Sequence, residues 1–188
     1  RMRSHENLHY EDEEVAVSEA LLFKKAGGRT IVDATTIGIG RDPLALARIA
    51  RATGLNVVMG AGYYIDAAHP EGMDGRTDLD IAREMVADLT TGVGDTGIRA
   101  GIIGELGCSW PITENERKVL RAGAHAQRQT GAAVLVHPGR NEEAPFEILR
   151  VLADAGADLS RVVMGHLERT LGDANSVLEL AGRGCYME

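Results

Sequence analysis

Three side chains in this 188-residue sequence have the types and positions to hold a cation: Glu105, His137 and His166. Each closes a short apolar run (Ile98–Glu105, Ala132–His137 and Arg161–His166), and a loop follows each. A carboxylate at the exit of a strand that reads as buried on both faces is costly unless something pairs with it. A cation is the natural partner. Two imidazoles and a carboxylate form a catalytic zinc set that leaves one coordination position for water. Water held there ionises near pH 7, which supplies hydroxide under neutral conditions.

Such ligands act together only if the fold brings three strand ends to one rim, and the order of elements predicts this. A helix over Glu11–Lys25 stops at Gly27-Gly28. A β-branched strand, Thr30–Thr36, leads through Gly38-Ile-Gly40 to a helix over Asp42–Thr53. An apolar strand over Leu55–Gly60 is followed by a polar loop, His69–Gly75, and by a helix from Thr77 to Leu89. The Ile98–Glu105 strand comes next and turns at Gly-Cys-Ser-Trp-Pro111. Thr113-Glu-Asn-Glu116 has capping-box spacing and opens a helix to Gln129. The Ala132–His137 strand, a helix over Glu143–Ala155, the Arg161–His166 strand, a helix from Asp173 to Ala181 and a last strand from Cys185 complete the chain. Strand and helix alternate with short links, which predicts βαβ units, a parallel sheet and a single domain over residues 1–188. Two closures fit: an open doubly wound sheet, or an eight-unit barrel of roughly 250 residues, for which this chain is about two units short. In either fold, sites form at the carboxyl ends of strands.

The remaining residues with chemistry carry plainer readings. His125 lies inside a helix, His69 in a loop, and His5 and His9 in a stretch near Arg1–Tyr10 without period. Gly38 and Gly40 lack the third glycine of a dinucleotide fingerprint and read as turn residues. Asp33 reads as a buried structural hydrogen-bonding group. Arg140, just after His137-Pro-Gly, suits either an anionic substrate group or solvent. Tyr63, Tyr64 and Trp110 follow strands on the same rim and either line a pocket or cover it.

Composition sets outer limits. The chain is 44% hydrophobic and 26% charged with a formal charge of −8. That suits one sizeable core and argues against nucleic acid or an anionic membrane as partner. No apolar run has the length of a membrane span, and no signal peptide is visible. Cys108 and Cys185 have no paired spacing and read as reduced thiols in a cytoplasmic protein.

Several stretches resemble the phosphotriesterase family of the amidohydrolase superfamily: Thr30–Asp42, Asp95–Ile103, Val134–His137 and Met164-Gly-His166. Gly101–Leu120 and His137-Pro-Gly-Arg140 are closer to its phosphotriesterase-related branch. The resemblance implies a (β/α)8 TIM barrel, of which about six units are present here. It also implies two divalent metals, zinc being the expected ion, bridged by hydroxide and by an acidic ligand from the fourth strand. Glu105 occupies that position, and His137 and His166 match the histidines that hold the second metal. The His-x-His pair and the strand-eight Asp of the first metal have no counterpart here, so the chain reads as a fragment lacking strands one and eight. Where phosphotriesterases carry a proton-transferring Asp after the sixth-strand His, this chain has Leu167-Glu168-Arg169, and Glu168 is the candidate catalytic stand-in. Tyr64 falls near an aromatic that lines the leaving-group pocket; Arg140 and Trp110 complete the candidate substrate-binding set. The implied function is hydrolysis of a small-molecule ester, lactone, amide or phosphoester by metal-bound hydroxide. The alternative is a catalytically incomplete fragment or non-catalytic binding module with a partial metal site, inactive by itself. The two open edges of a six-unit sheet make a second copy of the chain a candidate partner.

Overall fold

A computed structural model describes residues 12–188. His5, His9, the Arg1–Tyr10 stretch and the Glu11 start of the first helix lie outside the described residues. The elements run α1 Glu13–Lys25, β1 Thr30–Asp33, α2 Pro43–Thr53, β2 Asn56–Ala61, α3 Asp78–Thr90, β3 Ile102–Gly107, α4 Glu114–Thr130, β4 Val134–His137, α5 Ala144–Asp154, β5 Val162–Met164, α6 Ala174–Ala181 and β6 Tyr186–Met187. Their starts follow from local chemistry. Asp42 caps α2 by accepting from the Ala45 amide, and Pro43 fills its first turn. Thr77 with Asp80, and Thr113 with Glu116, form reciprocal capping boxes at α3 and α4.

The six strands form one parallel sheet in the order β1-β2-β3-β4-β5-β6. A doubly wound sheet reverses its strand order at a switch point. Here each crossover returns the chain beside the strand it has just left, as in a barrel wall. The burial of the strands refines the sequence reading. Val134 and Val136 of β4 and Val162 and Met164 of β5 are buried, whereas Leu135, His137 and Val163 between them are half-open. One face of the sheet is therefore buried under helices and the other is only partly covered, so the apolar runs are not buried on both faces as the sequence suggested. The core lies between sheet and helices, where Ile103, Leu106, Val134, Val136 and Met164 meet Ile81, Met85, Leu120, Ile148, Leu152 and Leu180.

Strand β3 departs from its expected span. It begins at Ile102 rather than Ile98 and runs past Glu105 to Gly107, so the carboxylate lies within the strand and not at its exit. Its pairing with β4 jumps from Ile103↔Val134 to Leu106↔Val136, three residues against two, which is a bulge. Gly104 takes φ +122 in this bulge. Its carbonyl packs so closely on Gly60 of β2 that a side-chain carbon there would sit 1.8 Å from the oxygen. Glycine is thus required at both positions, to adopt the bulge and to admit it.

Two polar clusters fix the loops above the sheet. Glu116 is fully buried. Besides the Thr113 amide at 2.9 Å, it accepts from the Asp66 amide at 3.0 Å and the Ser109 hydroxyl at 2.9 Å. One carboxylate thereby ties the β2 exit loop and the β3 exit loop to the start of α4. Tyr63, also buried, donates to Glu84 Oε1 at 2.8 Å and accepts from Arg76, which in turn binds Glu84. Burial, and then the hydrogen bond and charge of Glu84, push the Tyr63 phenol up to about 12 against the lowering influence of Arg76.

Replacing Glu116 by Leu strands three donors in a dry site, so the E116L variant should lose about 3 kcal/mol or more of stability in urea denaturation. The Tyr63 phenol holds its proton more tightly folded than unfolded. Its contribution to stability is therefore full below about pH 10 and is lost as pH rises through about 12. Thermal midpoints recorded from pH 9 to 12 should fall more steeply for the wild type than for Tyr63→Phe.

Candidate metal centre

The β3 bulge turns Glu105 so that its carboxylate meets one histidine at the end of β4 and another just after β5. His166 Nε2 lies 2.9 Å from Glu105 Oε1, and His137 Nδ1 lies 3.3 Å from Oε2. The two rings stand edge-on, 4.6 Å between centroids. One ligand atom from each of the three residues lies within 4.8 Å of the other two. The Glu105 and His137 side chains are 17% exposed and that of His166 is 41%, so the carboxylate is the floor and His166 the open side. Burial pushes the Glu105 carboxyl up. The hydrogen bond and charge of His137, then those of His166, outweigh this and hold it below its usual value.

His137 closes β4 on the half-open face, as its alternation with the buried Val136 requires. His166 does not close β5. That strand ends at Met164, two residues earlier than expected, and His166 leaves the ladder in the left-handed region at φ 59, ψ 33. Among the described residues it is the sole non-glycine with positive φ. A side chain there costs about 1 kcal/mol, a strain typical of functional positions. It is held by its carbonyl, which accepts from the Thr170 hydroxyl at 2.9 Å, and by the Leu167 amide, which donates to the Glu188 carbonyl.

Of the residues proposed from sequence for substrate, the structure brings Tyr64 to this cluster. Its hydroxyl lies 3.1 and 3.2 Å from the two nitrogens of the His137 ring. Burial first, then the negative charge of Glu105, raise its phenol, while Arg169 works the other way. Tyr64 is therefore a neutral hydrogen-bond donor at ordinary pH. Its loop is pinned by His69, whose Nε2 lies 2.8 Å from the Tyr64 carbonyl and whose ring packs edge-on against Tyr63. Asp33 is half-buried and accepts from the Thr35 amide, a local turn at the end of β1. His125 is half-buried in α4 and outside the cluster.

Glu168, Arg140 and Trp110 are not brought to the cluster. Glu168 and Arg140 are exposed and make no side-chain hydrogen bond among the described residues. Trp110, 36% exposed, lines a groove of about 480 Å³ along α5 with Phe146, Leu149 and Arg150, and none of the three ligands borders it. The residue that sequence reasoning passed over is Arg169. It stands three residues after His166 in the single 3₁₀ turn Leu167–Arg169. Its nearness in sequence to His166 was the one available signal, and its contact with His137 depends on the turn that follows β5. Arg169 Nη2 lies 2.7 Å from His137 Nε2 and donates to the Pro138 carbonyl at 3.3 Å. A guanidinium can only donate, so His137 Nε2 is the acceptor in this arrangement; holding a cation through Nδ1 would move the ring proton to Nε2 and release Arg169 from this contact.

This donor set fits a divalent cation. Both imidazoles converge on one carboxylate, and among the described residues no Lys or Arg lies within ion-pair distance of it. Nitrogen and oxygen donors of this kind suit Zn and its neighbours alike.

The chain was compared with known families, proteins and structures. The model of the family described as "Phosphotriesterase family" matches residues 2–188. A protein of Homo sapiens named N-acetyltaurine hydrolase is 48% identical over 184 residues, covering 97% of this chain and 53% of that protein. The crystal structure of a resiniferatoxin-binding protein from Rhodobacter sphaeroides superposes with a TM-score of 0.90 at 40% identity, covering 94% of this chain and 49% of the other. The phosphotriesterase homology protein from Escherichia coli, complexed with phosphate in its active site, gives a TM-score of 0.89 at 33% identity, covering 96% and 62%. The chain thus spans about half the length of the curated relatives it matches.

The left-handed backbone of His166 yields a direct test. His166→Ala and His166→Gly both remove the imidazole, but only glycine relieves the backbone. His166→Gly should be about 1 kcal/mol more stable than His166→Ala in urea denaturation, the reverse of the order at an ordinary position.

Proposed function

The chain belongs to the phosphotriesterase family, and from that premise we propose that it carries the cation-holding side of a zinc-dependent hydrolase that cleaves the amide bond of small N-acyl substrates. The observation that carries this reading is the meeting of Glu105, His137 and His166 on one rim. N-acetyltaurine is the first substrate to test, because the human relative bears the name of its hydrolase. The phosphate in the E. coli structure's active site supports a site that accepts anionic groups.

Glu105, His137 and His166 would hold the cation, which when bound supplies Lewis-acid activation of water and of the scissile carbonyl. The chain's own groups do the rest. The lowered Glu105 carboxyl stays ionised and available as a ligand. Tyr64 keeps its proton and can donate to an oxygen of the substrate beside His137. The half-open inner face admits a small molecule, and the helix layer closes the opposite side. No step is assigned to Glu168.

A second reading follows from the ligand count. The described residues hold one cluster of possible ligands, whereas the family resemblance implies two metals. We propose that turnover belongs to the full-length protein and that residues 1–188 alone bind a cation without it.

The full-length protein with zinc should release taurine and acetate from N-acetyltaurine. His137→Ala and His166→Ala should each abolish this and lower bound zinc by elemental analysis. Stoichiometric zinc in the double variant would refute the site.

A further inference from the structure

Arg169 has no role in the reading above, and its surroundings leave it incompletely satisfied. It is half-buried, and its Nε–H is shielded from water without an acceptor. Nη2 is directed at a ring nitrogen of His137 and at the Pro138 carbonyl, neither of them an anion. Among the described residues no carboxylate lies within ion-pair distance of it. Guanidinium groups at low exposure ordinarily sit opposite a carboxylate or phosphate, because the fork of five donors matches two oxygens at once. Here the fork stands against a metal-ligand ring, and its positive charge is felt at Tyr64 across the same space. An anionic group in the space shared by Arg169 and Tyr64 would pair with this fork.

We propose that Arg169 is the anion receptor of the site and binds the acid group of the substrate. Resting on the hydrolase reading, this narrows the substrate class to N-acyl amines that carry a sulfonate or carboxylate a few bonds from the amide. The spacing is suitable. In an extended N-acyl aminoethyl acid the acid group lies roughly 5 Å from the carbonyl carbon by ordinary bond lengths. Arg169 is in hydrogen-bond contact with His137, whose ligand atom lies within 4.8 Å of those of Glu105 and His166. One small molecule can thus place its amide at the cation and its acid on the guanidinium. A neutral amide of the same size would leave that guanidinium unpaired, so preference for acids is built in.

The test uses the full-length, zinc-loaded protein and the Arg169→Met and Arg169→Lys variants. Binding of ethanesulfonate and of propionate is measured by titration calorimetry, and bound zinc by elemental analysis. Turnover is compared between N-acetyltaurine and its neutral analogue N-acetylethanolamine. Arg169→Met should weaken binding of the acids about 10- to 100-fold and reduce the acidic-over-neutral ratio of kcat/KM by a similar factor, at unchanged zinc content. Arg169→Lys should fall between. Ethanesulfonate and propionate bound equally would show a receptor for acids in general; a difference would show which acid the fork prefers. Unchanged acid binding in Arg169→Met overturns the proposal, and so does loss of zinc, which would make Arg169 a positioning residue for His137. If the wild type cleaves neither amide yet binds ethanesulfonate through Arg169, the hydrolase reading fails and the receptor stands.

Discussion

The constraint on which the structure turns is the charge of Glu105. A carboxylate most of the way out of water must be met by donors or a cation, or its burial is prohibitive. The chain meets it with two imidazoles, one closing β4 and one in the turn after β5. Such a cluster is half-compensated by protein alone. That is the physical meaning of a ligand set: groups brought together at a cost that binding offsets. Everything nearby serves this meeting. The β3 bulge turns the carboxylate, the alternation of β4 delivers His137, and the backbone turn after β5 swings His166 back across the rim.

The loops above the sheet are secured by a different device. Glu116, fully buried, faces amides and a hydroxyl rather than a cation. Its bonds run to two exit loops and one helix start, so the β2 loop that carries Tyr64 is referenced to the helix layer and not to solvent. Tyr63 and His69 pack against each other behind that loop, and Arg76 and Glu84 close the cluster. The mouth of the site is thus held by buried polar bonds, whereas its floor is held by the strand ladder.

Much of this was legible in residue order. Alternating apolar runs and glycine stops located all twelve elements to within a few residues, because capping groups such as Asp42, Thr77 and Thr113 act locally. His137 and Glu105 could be placed because strand direction carries a side chain to a rim. What was not legible depends on backbone detail that no residue type announces. The bulge at Gly104 moved Glu105 from the end of its strand to the inside of it. The early end of β5 put His166 in a turn and carried Arg169 to His137. The half-open inner face could not be anticipated either, since Leu135 and Val163 look the same whether covered or not. Glu168, Arg140 and Trp110 lie on loops or helix faces whose direction depends on packing, which is why rim position alone did not locate them.

The close approach of Gly104 to Gly60 has a consequence for how such a site diversifies. Two main chains touching without side chains leave nothing between them that a substitution can reshape. The strand segment that turns the carboxylate is therefore set by main chain against main chain rather than by side-chain packing. Tyr64 and Arg169 are presented from the β2 exit loop and the turn after β5, outside the strand ladder. A scaffold of this kind keeps one chemistry while its choice of molecule wanders, and related proteins can differ in what they accept long before they differ in what they do to it.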